Sequence, residues 1–523
     1  MISLSTLFFE NAIPNPHRIA LSVDGRDFSY RELLGLVKHV VNWLRERRPG
    51  QVHRVGILAS RSWEAYAGIL GTSWTGGTYV PLHPEWPEDR ILRILNVAAL
   101  DALIVDNNGL KALSQNVLAL CPPHILAPAN DSSLYLNSNG HRLVVSGKDS
   151  LSVSASDAAP DEPDADRLAY IMFTSGTTGS PKGVMISVGN VASFLSAMQS
   201  DFKFDSSDRV SQTFELTFDL SVWSLLAAWA SGASLHVVPA AQLMGPSRFI
   251  REKQLTVWLS VPSTIACMRS LKMLTPAAFP CLRYSGFCGE PLPVASAEAW
   301  RTAAPNSVIA NVYGPTEATI ACLAEPYSDP PVVTKERGIV AIGKPFWGMK
   351  AAIVNSSNAF VPAGEIGELA VSGQQIARGY LNDPVRTAAR FPTIDGAVWY
   401  LTGDLAYQDA AGIFHHLGRT DHQVKVLGNR VELEEVEAHL RNVCGSESVA
   451  ALAWPIEAGC ARGIVAFVAG TTTSATRIRE GMQLRVPKYM VPSQVRVLDD
   501  LPLNTSGKTD RKALAALLSG GAA

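Results

Sequence analysis

The chain has 523 residues, with 45 Lys and Arg against 47 Asp and Glu and a formal net charge of −2. At roughly 100–200 residues per domain, this length predicts three or more folding units with well-buried cores. The near-neutral charge excludes a net basic field for nucleic acid, although not a local patch.

Neither the start of the chain nor its cysteines suggest export. Residues 1–10 contain no basic segment and end on a carboxylate, so no signal peptide is predicted. No apolar run approaches the roughly 18–20 residues needed to span a bilayer. The seven cysteines are scattered without a C-x-x-C pair, which predicts neither a disulfide framework nor a thiolate zinc site. We therefore expect a cytoplasmic protein with no membrane or nucleic-acid partner.

Along the chain, short Val/Ile/Leu-rich runs alternate with helical patterns, as at 54–59, 63–70, 103–105 and 235–238. Such alternation predicts layered α/β structure with a largely parallel sheet. Residues 150–166 form an acidic Ser/Ala/Pro-rich stretch that predicts a surface loop. Shorter, Gly-punctuated strands between about 339 and 414 predict a β-barrel-like subdomain.

After Asp421 the pattern changes to an amphipathic helix at 433–443 and a strand at 463–468. The predicted fold class is therefore α/β, with a large N-terminal body of two layered α/β subdomains plus a β-barrel-like subdomain. A small, mobile α+β domain follows. The predicted domains are 1–420 and 421–523.

The most distinctive local sequence is a strand-like run at 168–173 that leads into Thr-Ser-Gly-Thr-Thr-Gly-Ser-Pro-Lys-Gly at 174–183. Glycines let backbone N–H groups converge on an anion, hydroxyls add donors, and Lys182 adds charge. No segment meets the Walker A pattern G-x-x-x-x-G-K-[ST]. Composition alone leaves a phosphate site and a solvated surface loop as near-equal interpretations.

The order of residues in this loop resembles the signature loop of the adenylate-forming superfamily. That superfamily includes acyl-CoA synthetases, firefly luciferase and the adenylation domains of nonribosomal peptide synthetases. Further segments resemble its other motifs, in family order and over nearly the whole chain: Tyr-Gly-Pro-Thr-Glu at 313–317, Gly-Glu-Leu through Ala-Arg-Gly-Tyr at 367–380, Tyr-Leu-Thr-Gly-Asp at 400–404, 417–425, and Asn-Thr-Ser-Gly-Lys-Thr-Asp-Arg at 504–511.

The resemblance implies attack of a carboxylate on the α-phosphate of ATP, a step that needs charge neutralisation and in-line positioning. Thr316 would contact the α-phosphate, and Glu317 would bind Mg²⁺. The loop that holds the departing phosphates would be Thr174, Ser175, Gly176, Thr177, Thr178, Gly179 and Lys182.

For the nucleoside, the resemblance implies that Tyr313 stacks on adenine and that Asn311 bonds its edge, with Gly289 nearby. Asp404 can accept from both ribose hydroxyls, because a carboxylate has two acceptor oxygens, and Arg419 would support the same sugar. His415, His416 and His422 invite a metal interpretation, but no partner residues at metal-ligand spacing accompany them. His416 is instead expected near the ribose.

Lys508 would act as the catalytic lysine, bridging the attacking carboxylate and the α-phosphate from the small domain. A lysine on a separate domain implies that this domain moves, and Asp421 matches the family hinge. Rotation there would withdraw Lys508 and present Lys425 and Gly428 for a second step with a thiol.

Asp219 lies in the apolar run 214–223, where a carboxylate is costly to bury without a cationic partner. A structural ion pair and a ligand ammonium would both satisfy it. Phe-Asp-x-Ser at 218–221 resembles the segment with which amino-acid adenylation domains bind the substrate ammonium. The corresponding pocket positions carry no charge and imply a neutral side chain: Leu220, Trp223, Ser260, Gly286, Cys288, Val312, Ile320 and Ala321. Trp223 would shorten this pocket, while Gly286 and Ala321 would open it elsewhere.

The segments 260–263 and 287–293 resemble D-alanine–carrier protein ligases and enzymes that load small L-amino acids in macrolactam pathways. Alanine is favoured, with serine or glycine as alternatives, and Cys288 is either a pocket wall or a buried filler. The sequence contains no carrier or condensation motif, so we expect a phosphopantetheinylated carrier protein in trans. Whether a thioester or an amide forms, and whether a small activating protein takes part, stays open.

Two other functions remain. An acyl- or aryl-CoA synthetase has the same fold, but Asp219 argues against it. A catalytically silent nucleotide-binding scaffold predicts loss of Lys182, Glu317, Asp404 or Lys508, and all four are retained.

Overall fold

The computed structural model describes residues 2–47, 53–138, 141–150, 158–176, 181–421, 423–457, 460–503 and 509–519. The chain forms two compact units. The first comprises 1–84, 95–173 and 183–420, and the second comprises 85–94, 174–182 and 421–523. The second unit therefore takes in two short segments from the N-terminal part of the sequence. The domain boundary at 421 stays a prediction.

The first unit contains a nine-stranded sheet whose central strands are parallel. Apart from their end residues these central strands are buried, as a sheet covered on both faces requires. In spatial order its strands are Lys344–Pro345, Leu323–Pro326, Val308–Tyr313, Tyr284–Phe287, Val257–Ser260, Arg209–Gln212, Ser234–Val237, Ile19–Val23 and Arg26–Ser29.

A second, eight-stranded sheet is also mostly parallel. Its buried strands pack into the same hydrophobic core as the first sheet, with Ile57 and Val210 both in that core. In spatial order its strands are Lys182–Ser187, Leu168–Thr174, Thr78–Leu82, Arg54–Leu58, Ala102–Val105, His124–Leu126, His141–Ser146 and Leu134–Ser138.

Helices follow these strands at the spacing typical of crossover connections. Several begin at side-chain caps, such as Ser62 before the helix that starts at Trp63 and Ser187 before the helix that starts at Val188. The helices of the first unit are Leu4–Ala12, Tyr30–Arg47, Trp63–Trp74, Asn107–Lys111, Gln115–Leu120, Val188–Asp201, Leu220–Trp229, Ser247–Glu252, Pro262–Ser270, Val294–Ala303 and Pro384–Arg390, and Glu88–Ala98 is divided between the units.

An antiparallel, five-stranded sheet completes the first unit. It comprises Met349–Val354, Gly367–Gly373, Ala397–Gln408, Thr393–Ile394 and Phe414–Arg419. A separate hairpin pairs Val333–Thr334 with Ile339–Val340.

The second unit contains a four-stranded sheet, a three-stranded sheet and helices that bury their apolar faces on one another. Val436, Leu440 and Ile478 lie in its core. Its elements are the strands Gln423–Val426, Asn429–Glu432, Val449–Ala453, Ile456–Glu457, Cys460–Ala461, Ile464–Ala469 and Gln494–Leu498, and the helices Leu433–Cys444, Ala475–Gln483 and Arg511–Ser519.

The predicted α/β fold class is thus confirmed, with two layered parallel sheets, a curled antiparallel sheet and a small α+β region. Among the described residues, no helix combines the length and the apolar character that crossing a membrane requires.

Candidate active site

Several of the predicted pocket residues lie near one another because parallel strands end at the same sheet edge. Backbone pairing places Ser260 opposite Phe287, and Phe287 opposite Asn311, at the carboxyl ends of their strands. Cys288 directly follows the strand Tyr284–Phe287, and Val312 is the last residue but one of the strand Val308–Tyr313. Open α/β sheets bind ligands beyond such strand ends.

Asp219 lies directly before the helix Leu220–Trp229 and is 6% exposed. Its Oδ2 accepts the backbone N–H of Ile320 at 3.2 Å. Burial raises the pKa of Asp219 to about 7, although the Ile320 N–H and the Thr316 hydroxyl lower it. Within the described part of the chain, no Lys, Arg or His nitrogen lies within 4.0 Å of this carboxylate.

The donor to Asp219 belongs to a strained turn. Thr319 and Ile320, both β-branched, have left-handed φ angles of 57° and 72°. Such conformations cost on the order of 1–3 kcal/mol each and persist only when the surroundings impose them. Here the buried Gln375 imposes them, because the two hydrogens of its Nε2 are shared among the carbonyls of Ala318, Thr319 and Ala321, at N···O distances of 3.2, 3.4 and 2.6 Å.

Gln375 was missed by sequence reasoning. It lies between two segments that carry recognisable motif residues, and a glutamine in a Gly-containing loop gives no local signal for a buried role. Its contacts depend on the turn 318–321, more than fifty residues away.

Trp223 fills part of the predicted amino-acid pocket. A Cβ added at Gly286 would lie 2.5 Å from Cη2 of Trp223 and 2.9 Å from Cδ2 of Leu259. Gly286 therefore accommodates the indole rather than opening the pocket as predicted. Cys288 is buried, and the Ser260 Oγ accepts from Trp258 Nε1 at 3.0 Å. The remaining predicted wall residues, Leu220, Val312, Ile320 and Ala321, are also buried.

Asp404 is the centre of the predicted ribose site. Its Oδ1 accepts from Arg419 at 2.7 Å and faces His416 Nε2 at 3.4 Å, while its Oδ2 accepts the Tyr313 hydroxyl. Burial alone would raise the pKa of Asp404, but the Arg419 guanidinium and the hydrogen bonds hold it well below its usual range. The side chain is therefore a charged acceptor at neutral pH.

Asn311, predicted to bond adenine, is 2% exposed. Both hydrogens of its amide are used, because Nδ2 donates to the carbonyls of Val340 and Ala341 at 3.1 and 2.8 Å. These bonds fix the amide orientation and leave Oδ1 as its acceptor. Gly289, at the same strand ends, has a φ of 92° that a side chain would strain.

Glu317 is fully buried, and its Oε1 accepts from the Tyr380 hydroxyl at 2.8 Å. A carboxylate suits Mg²⁺, which prefers oxygen ligands and shares them with phosphates and water. Nowhere in the described ranges do three or more His, Cys, Asp or Glu side chains cluster as a metal site. Glu317 therefore fits a magnesium site only if the nucleotide and water complete it. Thr316 precedes it, close enough to bond Asp219.

The second unit holds the other predicted residues. Ser175 Oγ donates to the Arg430 carbonyl at 2.9 Å, and the Gly176 N–H donates to Glu435 Oε2 at 3.1 Å. The Thr174 hydroxyl is buried without a hydrogen-bond partner in the described structure. Lys182 begins a strand rather than lying within the loop.

Asp421 accepts the Gln423 N–H at 3.2 Å, and Lys425 lies in the strand that follows. Gly428 forms a tight turn with a φ of 82°. Thr177, Thr178, Gly179, His422 and the catalytic candidate Lys508 lie outside the described residues.

The chain matches the family described as AMP-binding enzyme over residues 8–381. It is 32% identical to tyrocidine synthase 3 of Brevibacillus parabrevis, aligning 98% of this chain with 8% of that protein. It is 31% identical to the dimodular nonribosomal peptide synthase of Bacillus subtilis (strain 168), aligning 99% of this chain with 21% of that one. The chain thus spans less than a quarter of the length of these two relatives.

Two of the solved structures that resemble this chain align with almost its whole length. One is the Vibrio cholerae adenylation domain AlmE in complex with glycyl-adenosine-5′-phosphate, with a TM-score of 0.88 and 33% identity over 99% of this chain and 98% of that one. The other is IdnL7, with a TM-score of 0.73 and 32% identity over 99% of both chains. Together, the match over 8–381 and these likenesses show that the chain belongs to the AMP-binding enzymes, as an adenylation enzyme of the type found in nonribosomal peptide synthetases.

Proposed function

We propose that the protein activates a small neutral amino acid with ATP and Mg²⁺, giving an aminoacyl-AMP and pyrophosphate. ATP-dependent activation of an amino acid is the chemistry of its family type, and the size of the amino acid is our proposal. The observation that supports it most is Asp219, a buried carboxylate with no cationic side chain beside it among the described residues. A substrate ammonium would supply the missing charge.

In this proposal Asp219 accepts from the ammonium while the Ile320 N–H holds the carboxylate in place. Ammonium binding also brings the pKa of Asp219 down from about 7, because the opposite charge favours the ionised carboxyl. Asp219 thereby orients the substrate. A substrate carboxylate held in a fixed orientation reacts faster with a bound phosphate than one that is free to rotate.

A small side chain is favoured by Trp223, whose indole occupies the space beside Gly286. The glycyl-adenosine-5′-phosphate held by AlmE supports the same size class. Alanine, serine and glycine are therefore the substrates to test first. The further likeness to D-alanine–carrier protein ligases and macrolactam-pathway enzymes belongs to this proposal too.

The adenosine would lie between the two fixed acceptors. Asn311 Oδ1 is oriented to accept from the adenine amino group, and Asp404 can accept from ribose hydroxyls beside Arg419. When bound at Glu317, Mg²⁺ would neutralise phosphate charge. Thr316 would contact the α-phosphate, and Lys508 would neutralise the charge that builds there.

In a second step the aminoacyl group would pass to a phosphopantetheinylated carrier protein in trans. The thiol would lose its proton to solvent, and its sulfur would bond to the carbonyl carbon as the bond to AMP breaks, so AMP leaves and a thioester forms. We assign Lys425 and Gly428 to that step and Asp421 to the hinge between the steps. An aminoacylated carrier, whose amine would give an amide, is the alternative acceptor.

ATP–pyrophosphate exchange with Asp219→Ala tests the role of the carboxylate. The KM for the amino acid should rise at least about a hundredfold, because a buried charged partner is lost, while the KM for ATP changes less than about threefold. Glu252→Ala is the control, since Glu252 is exposed and pairs with Arg248 inside one helix at 2.7 Å. Equal effects of Asp219→Ala on both substrates would contradict the assignment.

A further inference from the structure

We propose that Arg337 is a positioning residue for the nucleotide, because its guanidinium holds His416 in the tautomer whose Nε2–H faces Asp404. This inference rests on the proposed ATP site and names a residue that neither the motifs nor the family likeness identifies. Arg337 lies in the hairpin that pairs Val333–Thr334 with Ile339–Val340.

The hairpin holds the backbone of Arg337 firmly. The N–H groups of Arg337 and Gly338 both donate to the Thr334 carbonyl, at 3.1 and 3.0 Å. Gly338 has a φ of 63°, which closes the turn in a conformation that favours glycine. Thr334 itself bonds His415 through its side chain at 3.1 Å. The turn therefore has one defined shape, from which the half-buried Arg337 side chain reaches His416.

The contact fixes a tautomer. One terminal nitrogen of Arg337 lies 2.6 Å from His416 Nδ1. A guanidinium can only donate, so Nδ1 must accept and carries no hydrogen. A neutral imidazole with an unprotonated Nδ1 bears its hydrogen on Nε2. Arg337 thus determines which nitrogen of His416 is a donor.

That donor points to the ribose site. His416 Nε2 lies 3.4 Å from Asp404 Oδ1, which Arg419 already bonds at 2.7 Å. Since N–H···O bonds are usually 2.7–3.2 Å long, the Nε2–H is weakly satisfied. A ribose oxygen entering beside Asp404 would give it a better acceptor.

The same hairpin also touches the adenine side. Its residue Val340, with the neighbouring Ala341, accepts both hydrogens of the Asn311 amide. One short hairpin therefore orients the residue proposed to bond adenine and the histidine proposed to bond ribose. This shared support explains how the spacing between the two contacts is kept.

The test compares Arg337→Met with Lys335→Met, a matched removal of an exposed cation from the same turn. Arg337→Lys restores a donor, and both Arg337 variants are repeated in a His416→Ala background. KM for ATP, KM for the amino acid and kcat are measured by ATP–pyrophosphate exchange. Kd values for ATP, 2′-deoxy-ATP and 3′-deoxy-ATP are measured by calorimetry, and thermal unfolding checks the fold.

We expect Arg337→Met to raise KM and Kd for ATP about fivefold to tenfold, which is the effect of losing one ordinary hydrogen bond between His416 and the nucleotide. The KM for the amino acid and kcat should change less than about twofold, and Arg337→Lys should recover part of the loss. In the His416→Ala background the same substitution should have no further effect. Preference for ATP over at least one deoxy analogue should fall, and Lys335→Met should match the parent.

An unchanged Kd for ATP in Arg337→Met would overturn the inference. So would an equal loss with and without His416, because Arg337 would then act through something else. If the parent protein showed no exchange with any amino acid but bound ATP, the proposed function would fail. The calorimetric comparison would still decide the role of Arg337.

Discussion

The backbone N–H of Ile320 donates to the Asp219 carboxylate at 3.2 Å, although Ile320 must adopt a left-handed φ of 72° to do so. A β-branched residue rarely takes that conformation. A strained backbone conformation therefore directs a hydrogen-bond donor at a buried carboxylate that has no cationic neighbour among the described residues. Backbone strain of this kind is found preferentially at ligand-binding sites.

The buried carboxylate should cost stability. The pKa of Asp219 is raised to about 7 from an ordinary 3.8, so the folded state holds its proton while the unfolded state releases it. Its contribution therefore falls as pH rises from about 4 to about 7 and stays low above that. We expect Asp219→Asn to raise the free energy of unfolding above pH 7 by roughly 1–3 kcal/mol, with a smaller gain near pH 4. Denaturant unfolding at both pH values checks this, and a loss of stability at pH 8 would contradict it.

The same group predicts how substrate binding depends on pH. Only ionised Asp219 can pair with an ammonium, and its pKa before the substrate binds is about 7. Below about pH 7 we expect the KM for the amino acid to rise by a factor that approaches ten for each pH unit. The reason is that a single group must be ionised for the substrate to bind. The KM for ATP, followed over the same range, is the internal control. A KM for the amino acid that stays flat from pH 5.5 to 8 would show that Asp219 does not titrate there.

Gly286→Ala tests how tightly the indole fits. The added methyl would lie 2.5 Å from Trp223 and 2.9 Å from Leu259, so these side chains must shift. We expect a loss of about 1–3 kcal/mol in the free energy of unfolding and a higher KM for the amino acid. Gly35 lies in the helix Tyr30–Arg47, and a Cβ added there would meet no neighbouring atom within 4 Å. Gly35→Ala should therefore be neutral or stabilising. Equal behaviour of the two variants would show that the pocket has room beside Trp223.

Gln375→Ala tests the support of the strained turn. The two hydrogens of its Nε2 are shared among the carbonyls of Ala318, Thr319 and Ala321, and loss of these contacts should let the turn relax and move the Ile320 N–H away from Asp219. We expect the KM for the amino acid to rise about tenfold or more, with a smaller change in the KM for ATP. Gln374→Ala removes an exposed neighbour as the control. If the two variants had the same KM for the amino acid, Gln375 would be a stability residue only.

The fold class could be predicted from the sequence, because Val/Ile/Leu-rich runs that alternate with helical patterns are a local signal of layered α/β structure. Asp219 could be singled out for the same reason, as a carboxylate in an apolar run. The roles of Gln375 and Arg337 could not be found this way, since each depends on contacts with segments more than fifty residues away. Gly286 was predicted to open the pocket because glycine has no side chain. The packing shows instead that the Trp223 indole occupies the space beside it.

The central claim, activation of a small neutral amino acid, is tested most directly by ATP–pyrophosphate exchange over a panel of acids. The panel should contain both enantiomers of alanine and serine, together with glycine, leucine, phenylalanine, propionate and benzoate. We predict exchange with at least one of the small amino acids, at least about a hundredfold above leucine, phenylalanine and the two acids that lack an amine. Exchange that is strongest with propionate or benzoate, or absent with every amino acid, would contradict the account.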